Sequence, residues 1–414
     1  MITAKDALAA DLAKLTPAAL KAAPLAELTA IAQKVRQLLI GSRPAADRAL
    51  GSNLSNVELT LALHRAFDWP DERIVWDGGH QMDTHRIVTG RVDRFAAPAY
   101  DASGRVVMKG DGGPDVIEAV RGGTSISVAL GIALGRALKA DTRPAVCVIG
   151  DGALAQGVAL EALNHAATAP HVNLIVVLND NAEAAGAGAL HAYLRSLAPG
   201  RREPEAWFTA LGLDYIGPVD GHSVGAVAEA LDRAKVSTQI PIVHVKTQRG
   251  QGAKAQPVRR DAGRYPDAAA AIVAEAMARD ERLVVVLPAP AEDSGFAALL
   301  EKLPDRVFAP RLDEAHSVAA VAGLVSERYT AVVVADGAFL DRAFDHVARD
   351  LCTGSAPVIV LAIGRLAEPK AWQALPHLRV LTPATKAELE QTLREALRAT
   401  PGPTLIVVPA GPAV

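Results

Sequence analysis

The chain has 414 residues, 50% hydrophobic and only 4% aromatic, with 43 basic against 46 acidic residues and a formal net charge of −3. That balance gives no electrostatic basis for binding nucleic acid or an anionic membrane surface, and no stretch approaches the roughly 18 apolar residues of a bilayer span. The length predicts two domains whose cores are built from small aliphatic side chains. Cys147 and Cys352, the only cysteines, adjoin apolar runs and read as buried free thiols. The charged opening "MITAKDALAADLAKL" has no signal-peptide core, so a cytoplasmic protein is expected.

In chain order, the first 40 residues predict helix, broken by prolines, and "NVELTLALHRAF" from Asn56 to Phe67 predicts another. The pattern then changes. Uninterrupted apolar runs begin at Arg73 ("RIVW"), Ala145 ("AVCVIG"), Asn173 ("NLIVVL") and Pro241 ("PIVHVKT"), with helix-length stretches between them. Such runs are parallel strands covered on both faces. Residues 248–267, "QRGQGAKAQPVRRDAGRYPD", have no apolar period and read as a linker. Strand-like runs resume at Leu283, Thr330, Pro357, Leu378 and Thr404. The expected fold class is therefore α/β, with two doubly wound parallel-sheet domains at 1–247 and 268–414.

In such folds ligands sit at the carboxyl ends of the strands. Two neighbouring ends are polar: Gly150-Asp151-Gly152-Ala153 after "AVCVI", and Asn179-Asp180-Asn181 after "LIVVL". Either could be a turn. Together they offer hard oxygen ligands of the kind magnesium takes, with glycines that let backbone approach an anion and a following helix, "LAQGVALEALNHAA", to present free N–H groups.

A GDG followed about 30 residues later by NDN resembles the thiamine diphosphate fingerprint. "LGSNLSNVELTLALHRAFDWPDERIVWDGGHQMDTHRIVTGR", "GGTSISVALGIALG", "GDGALAQGVALEALNHA" and "VDGHSVGAVAEALDRAK" resemble the 1-deoxy-D-xylulose-5-phosphate synthases, relatives of transketolase, and "LPDRVFAPRLDEAHSVAAVAGL" and "AFLDRAFDHVARDL" extend the likeness more loosely. The resemblance implies a magnesium- and diphosphate-binding first domain, a pyrimidine-binding second domain, a homodimer, and a 2-oxo acid such as pyruvate as substrate. It implies magnesium ligation by Asp151, Asn181 and the carbonyl of Glu183. Gly152 and Ala153 would lie against the diphosphate, with His80, Arg121 and Gly122 near the cofactor. Glu314 would bond the aminopyrimidine ring, favouring the imino tautomer through which the cofactor deprotonates its own thiazolium carbon. Arg342 and Arg365 match substrate-side arginines.

Read without the family, His80 is equally a turn histidine and Glu314 a helix-opening acid. His165, His222, His244 and His316 carry no motif that separates them from packing or surface residues.

The chain also departs from the family pattern. Ala49 replaces a histidine before "LGSNL", and Val120-Arg121-Gly122 replaces Gly-His-Ser. Ala253 replaces an aromatic residue, and Asp336 a tyrosine. A loop with an aspartate and a histidine is missing after "GRLAEPKAWQAL", as is an arginine in the last strand. The chain stops where the family has a third α/β domain, and a separate chain supplying that domain is one expectation. Since acid–base groups contribute about 10²–10⁴-fold each, these losses predict an altered acceptor and slow synthase turnover. A degenerate, non-catalytic or accessory subunit is the second reading.

Overall fold

The computed structural model describes residues 4–43, 48–92, 122–181, 188–197, 207–253, 264–288, 294–310, 313–353, 356–366, 368–398 and 402–409. The chain divides into two compact units, the first comprising Met1–Asp101 and Val106–Val258, the second chiefly Arg259–Val414.

The first unit contains strands β1 (Arg73–Trp76), β2 (Ala145–Gly150), β3 (Leu174–Asp180), β4 (Asp214–Asp220) and β5 (Pro241–Lys246). They form one sheet in the order β1-β2-β3-β5-β4, and every neighbouring pair is parallel. Side chains alternate across the sheet, so each apolar strand feeds two cores. Ile74, Trp76, Val146, Val148, Ile175, Val177, Val243 and Val245 pack with the helices Leu25–Ser42, Val57–Ala66 and Val224–Lys235. Val75, Cys147, Ile149, Val176, Leu178 and Ile242 pack on the opposite side with the helices Ser125–Ala137 and Gly157–Ala166.

The second unit repeats this architecture with β6 (Leu283–Val286), β7 (Val307–Phe308), β8 (Thr330–Asp336), β9 (Val358–Ile363), β10 (Arg379–Leu381) and β11 (Thr404–Val408), in the order β10-β11-β9-β8-β6-β7. All its neighbouring strands are parallel. The helices Tyr265–Met277 and Lys386–Arg398 cover one face. The helix Glu314–Ser326, the segment 340–352 and Trp372 cover the other. Trp372 is fully buried edge-on to Phe344, 4.9 Å between centroids, and its indole N–H has no acceptor among the described residues.

Both units are thus doubly wound parallel α/β sheets, as the apolar runs predict. Two strands escape that reading. The edge strand β4 carries Gly217-Pro218 and is half-exposed along much of its length, and the edge strand β7 has only two residues. Within residues 248–252, Gln248 N–H donates to His222 Nε2 (2.8 Å), Gly250 N–H to Gly51 O (2.9 Å), and Arg36 Nη1 to Gln251 O (2.8 Å). Tyr265–Met277 is already helical. No described helix is long and apolar enough to cross a membrane.

Candidate functional site

β2 and β3 are paired in register, with Gly150 opposite Asn179. Asp151 and Asn181 therefore leave two adjacent strands at the same end of the sheet, and both are buried, 2% and 7% exposed. The apolar run stops at Leu178, yet the ladder continues: Asn179 pairs with Val245 and Asp180 with Lys246. Asn179 and Asp180 are thus strand residues, and only Asn181 lies beyond the ladder.

The three polar side chains part company by alternation. Asn179 Oδ1 accepts from Thr247 Oγ1 at 2.7 Å, while its amide lies 3.5 Å from Gln81 Oε1. Asp180 Oδ2 meets His244 Nε2 at 3.0 Å. Asn181 Nδ2 lies 3.5 Å from Ser55 Oγ.

Asp151 opens a four-residue helical turn, Asp151–Leu154, and the longer helix starts only at Gly157. The predicted continuous helix from Leu154 is interrupted there. The Asp151 carbonyl accepts from the buried His191 ring at 3.1 Å. Gly152 is buried, Ala153 half-buried, and a Cβ at Gly150 would meet no described residue within 4 Å.

Asn53 and Asn56 of the "SNLSN" run hold the "WDGGHQ" turn. Asn53 Nδ2 donates to His80 O (2.8 Å) and Asn56 Nδ2 to Gln81 O (2.7 Å). His80 is half-buried in a short 3₁₀ turn after Gly78, whose φ of +88° suits glycine; a Cβ there would stand 2.6 Å from His80 Nδ1. Asp77, fully buried, accepts from Gly123 N–H (2.9 Å) and Ser125 N–H (3.1 Å), which fixes the turn following Gly122. Burial pushes the Asp77 carboxyl up, against those backbone donors and the nearby His80. Arg121 and Glu183 lie outside the described residues.

Among the described residues no three His, Cys, Asp or Glu side chains converge as a metal-binding group. The ligand set implied by the resemblance contains one such side chain, Asp151; the others are an amide and a carbonyl. A carboxylate and an amide on paired strand ends, with diphosphate oxygens and water completing the shell, fit magnesium, which commonly takes few protein ligands.

The second unit brings together a different group. Glu314 is 2% exposed at the first position of its helix, and Arg342 Nη1 approaches its Oε2 at 3.4 Å. The Arg342 guanidinium also lies 4.6 Å from the Phe339 ring centroid. Arg342 thus faces Glu314, an arrangement that its match to a substrate-side arginine did not anticipate. Burial raises the Glu314 pKa, Arg342 opposes that, and Asp336 adds to it. Asp336, at the end of β8, accepts from Ala338 N–H at 2.9 Å. Burial raises neighbouring Asp313 to about 6. Arg365 is exposed.

The residue-type reading missed Asn53, Ser55, Gln81, Asp77, His191 and the Asp180–His244 contact. One signal was available for His244: an ionisable ring in the middle of the apolar run "PIVHVK" has to be bonded if buried. His222 also has partners, with Nδ1 3.2 Å from Glu58 Oε2.

A family model described as 1-deoxy-D-xylulose-5-phosphate synthase matches residues 13–203 and 199–247. The 1-deoxy-D-xylulose-5-phosphate synthase 2 of Geobacter sulfurreducens is 32% identical over 472 residues, covering 96% of this chain and 75% of that protein. The 1-deoxy-D-xylulose-5-phosphate synthase of Rhodococcus erythropolis is 32% identical over 458 residues, covering 93% and 71%. Among solved structures, transketolase from Leishmania mexicana aligns with a TM-score of 0.43 at 15% identity over 92% of this chain and 77% of that one, a likeness too low to carry weight beside the sheet order itself. With a family model spanning more than half its length and such relatives along most of the rest, the chain belongs to the 1-deoxy-D-xylulose-5-phosphate synthase family.

Proposed function

We propose that this protein is a thiamine diphosphate-dependent transferase of the synthase type, acting on pyruvate or a related 2-oxo acid. The observation that carries the reading is the pair Asp151 and Asn181, buried at the ends of two strands held in register. Asp151 and Asn181, with the Glu183 carbonyl, would hold magnesium, which would offset the charge of the diphosphate. Gly152, Ala153, Gly122 and Arg121 line the diphosphate, with His80 near the cofactor. The cofactor, when bound, supplies the electron sink for carbanion chemistry. Glu314 bonds the aminopyrimidine ring, and its raised pKa suits a carboxyl group that shares a proton with a ring nitrogen. In this reading the first unit is the diphosphate-binding domain and the second the pyrimidine-binding domain.

The test is calorimetry of the full chain with magnesium and thiamine diphosphate. Asp151→Ala removes the only acidic side chain of the ligand set, so binding should be lost, as it should be with chelator present. Undiminished affinity in either case refutes the site.

A second reading, a non-catalytic or accessory subunit, is favoured by Ala49 and Asp336, which stand where the family carries histidine and tyrosine. Exchange of the cofactor's C2 proton for deuterium separates the two. Fast exchange that Glu314→Gln slows, with little turnover of pyruvate and glyceraldehyde 3-phosphate, supports an active relative with a changed acceptor. Bound cofactor exchanging no faster than in free solution supports the accessory subunit.

A further inference from the structure

His244 lies in the middle of β5, fully buried between apolar neighbours. A buried imidazole is costly unless both nitrogens are bonded, and here both are. Nε2 is 3.0 Å from Asp180 Oδ2, and Nδ1 is 2.7 Å from the Tyr215 hydroxyl. An ionised carboxylate only accepts, so with Asp180 ionised the ring is protonated on Nε2 and Nδ1 accepts from the tyrosine O–H. The Tyr215 ring is stacked on Phe208, 5.5 Å between centroids and 5° from parallel, which fixes its hydroxyl. The result is a hydrogen-bonded chain across three adjacent strands, from β4 through β5 to β3.

We propose that Tyr215, His244 and Asp180 form a positioning relay that sets the backbone from which Asn181 projects, and that magnesium–diphosphate affinity depends on it. The proposal rests on the reading of Asn181 as a metal ligand. Asn181 Nδ2 lies 3.5 Å from Ser55 Oγ. The residues before it are held by short bonds on both faces: Asp180 by His244 at 3.0 Å, Asp180 O by Thr247 N–H at 2.9 Å, and Asn179 by Thr247 Oγ1 at 2.7 Å. The backbone leading into Asn181 is thus fixed on both faces of the strand. The relay also commits the Asp180 carboxylate to the sheet face opposite Asn179, which explains why the middle acid of Asn-Asp-Asn stays out of the metal set.

The test uses the full chain and its His244→Leu, His244→Gln and Tyr215→Phe variants. Magnesium is titrated calorimetrically at saturating thiamine diphosphate, and exchange of the Thr247 amide is followed without ligand. Outer partners of metal-site residues contribute about 10–100-fold in affinity. His244→Leu should lose affinity on that scale and expose the Thr247 amide to faster exchange. His244→Gln, which keeps an N–H for Asp180, should recover most of the affinity, and Tyr215→Phe should fall between the two. A leucine variant that binds like the parent overturns the relay, and so does a glutamine variant as weak as the leucine one, because packing alone would then account for the histidine. Should the leucine variant not fold, Tyr215→Phe decides: undiminished affinity overturns the relay. A parent chain that takes up no cofactor overturns the assignment of Asn181 and the relay with it, whereas variants equal to a binding parent overturn the relay alone.

Discussion

Glu314 shows how far one residue can be read from its letters. "DEAHSV" marks it as the opening acid of a helix, and there it stands. What its neighbours do to it depends on β8, which brings Asp336 close from 22 positions away in sequence. No local pattern carries that information. Asp313 gives the sharper pH consequence. Its folded-state pKa is raised from 3.8 to about 6, mainly by burial. The folded protein then binds that proton more tightly than the unfolded chain, so the stabilisation is present at low pH and is lost as pH rises from about 4 through about 6. Asp313→Asn abolishes this ionisation. Urea unfolding should find the variant gaining on the parent between pH 4 and pH 7, with most of the gain reached above about pH 6. A gain that does not change with pH would contradict the assignment.

At the scale of elements, strands buried on both faces were legible because their composition leaves no alternative: "VCVI", "LIVVL" and "VIVLAI" are too short and too uniformly apolar for amphipathic helices. Of the edge strands, β1 and β10 were legible but β4 and β7 were not: β4 is half-exposed and lacks that uniformity, and β7 has only two residues. The end of β3 was misplaced for a related reason. Hydrophobicity stops at Leu178, but hydrogen bonding to β5 continues for two polar residues, whose side chains are bonded by Thr247 and His244. The candidate site was half legible: Asp151, Asn181 and Glu314 stand in motifs, whereas Tyr215 and His244 come together only through the order β3-β5-β4. For the cores, Leu361→Ala in the middle of β9, fully buried, should destabilise the second unit by about 2–5 kcal/mol in denaturant titration. A loss under about 1 kcal/mol would mean that the surrounding side chains collapse into the space.

For the whole molecule, we propose a homodimer, by likeness to the synthases. Sedimentation at micromolar concentration should show a dimer, and a monomer would count against it.

The distribution of tryptophans has a spectroscopic consequence. Of the four, Trp69, Trp76 and Trp207 belong to the first unit and Trp372 alone to the second. Its fully buried indole should emit at the short-wavelength end of the protein range. A chain with the other three changed to phenylalanine would report the melting of the second sheet in isolation, with no label attached. Its red shift on heating, set beside that of the parent, would show whether the two units unfold together or in turn.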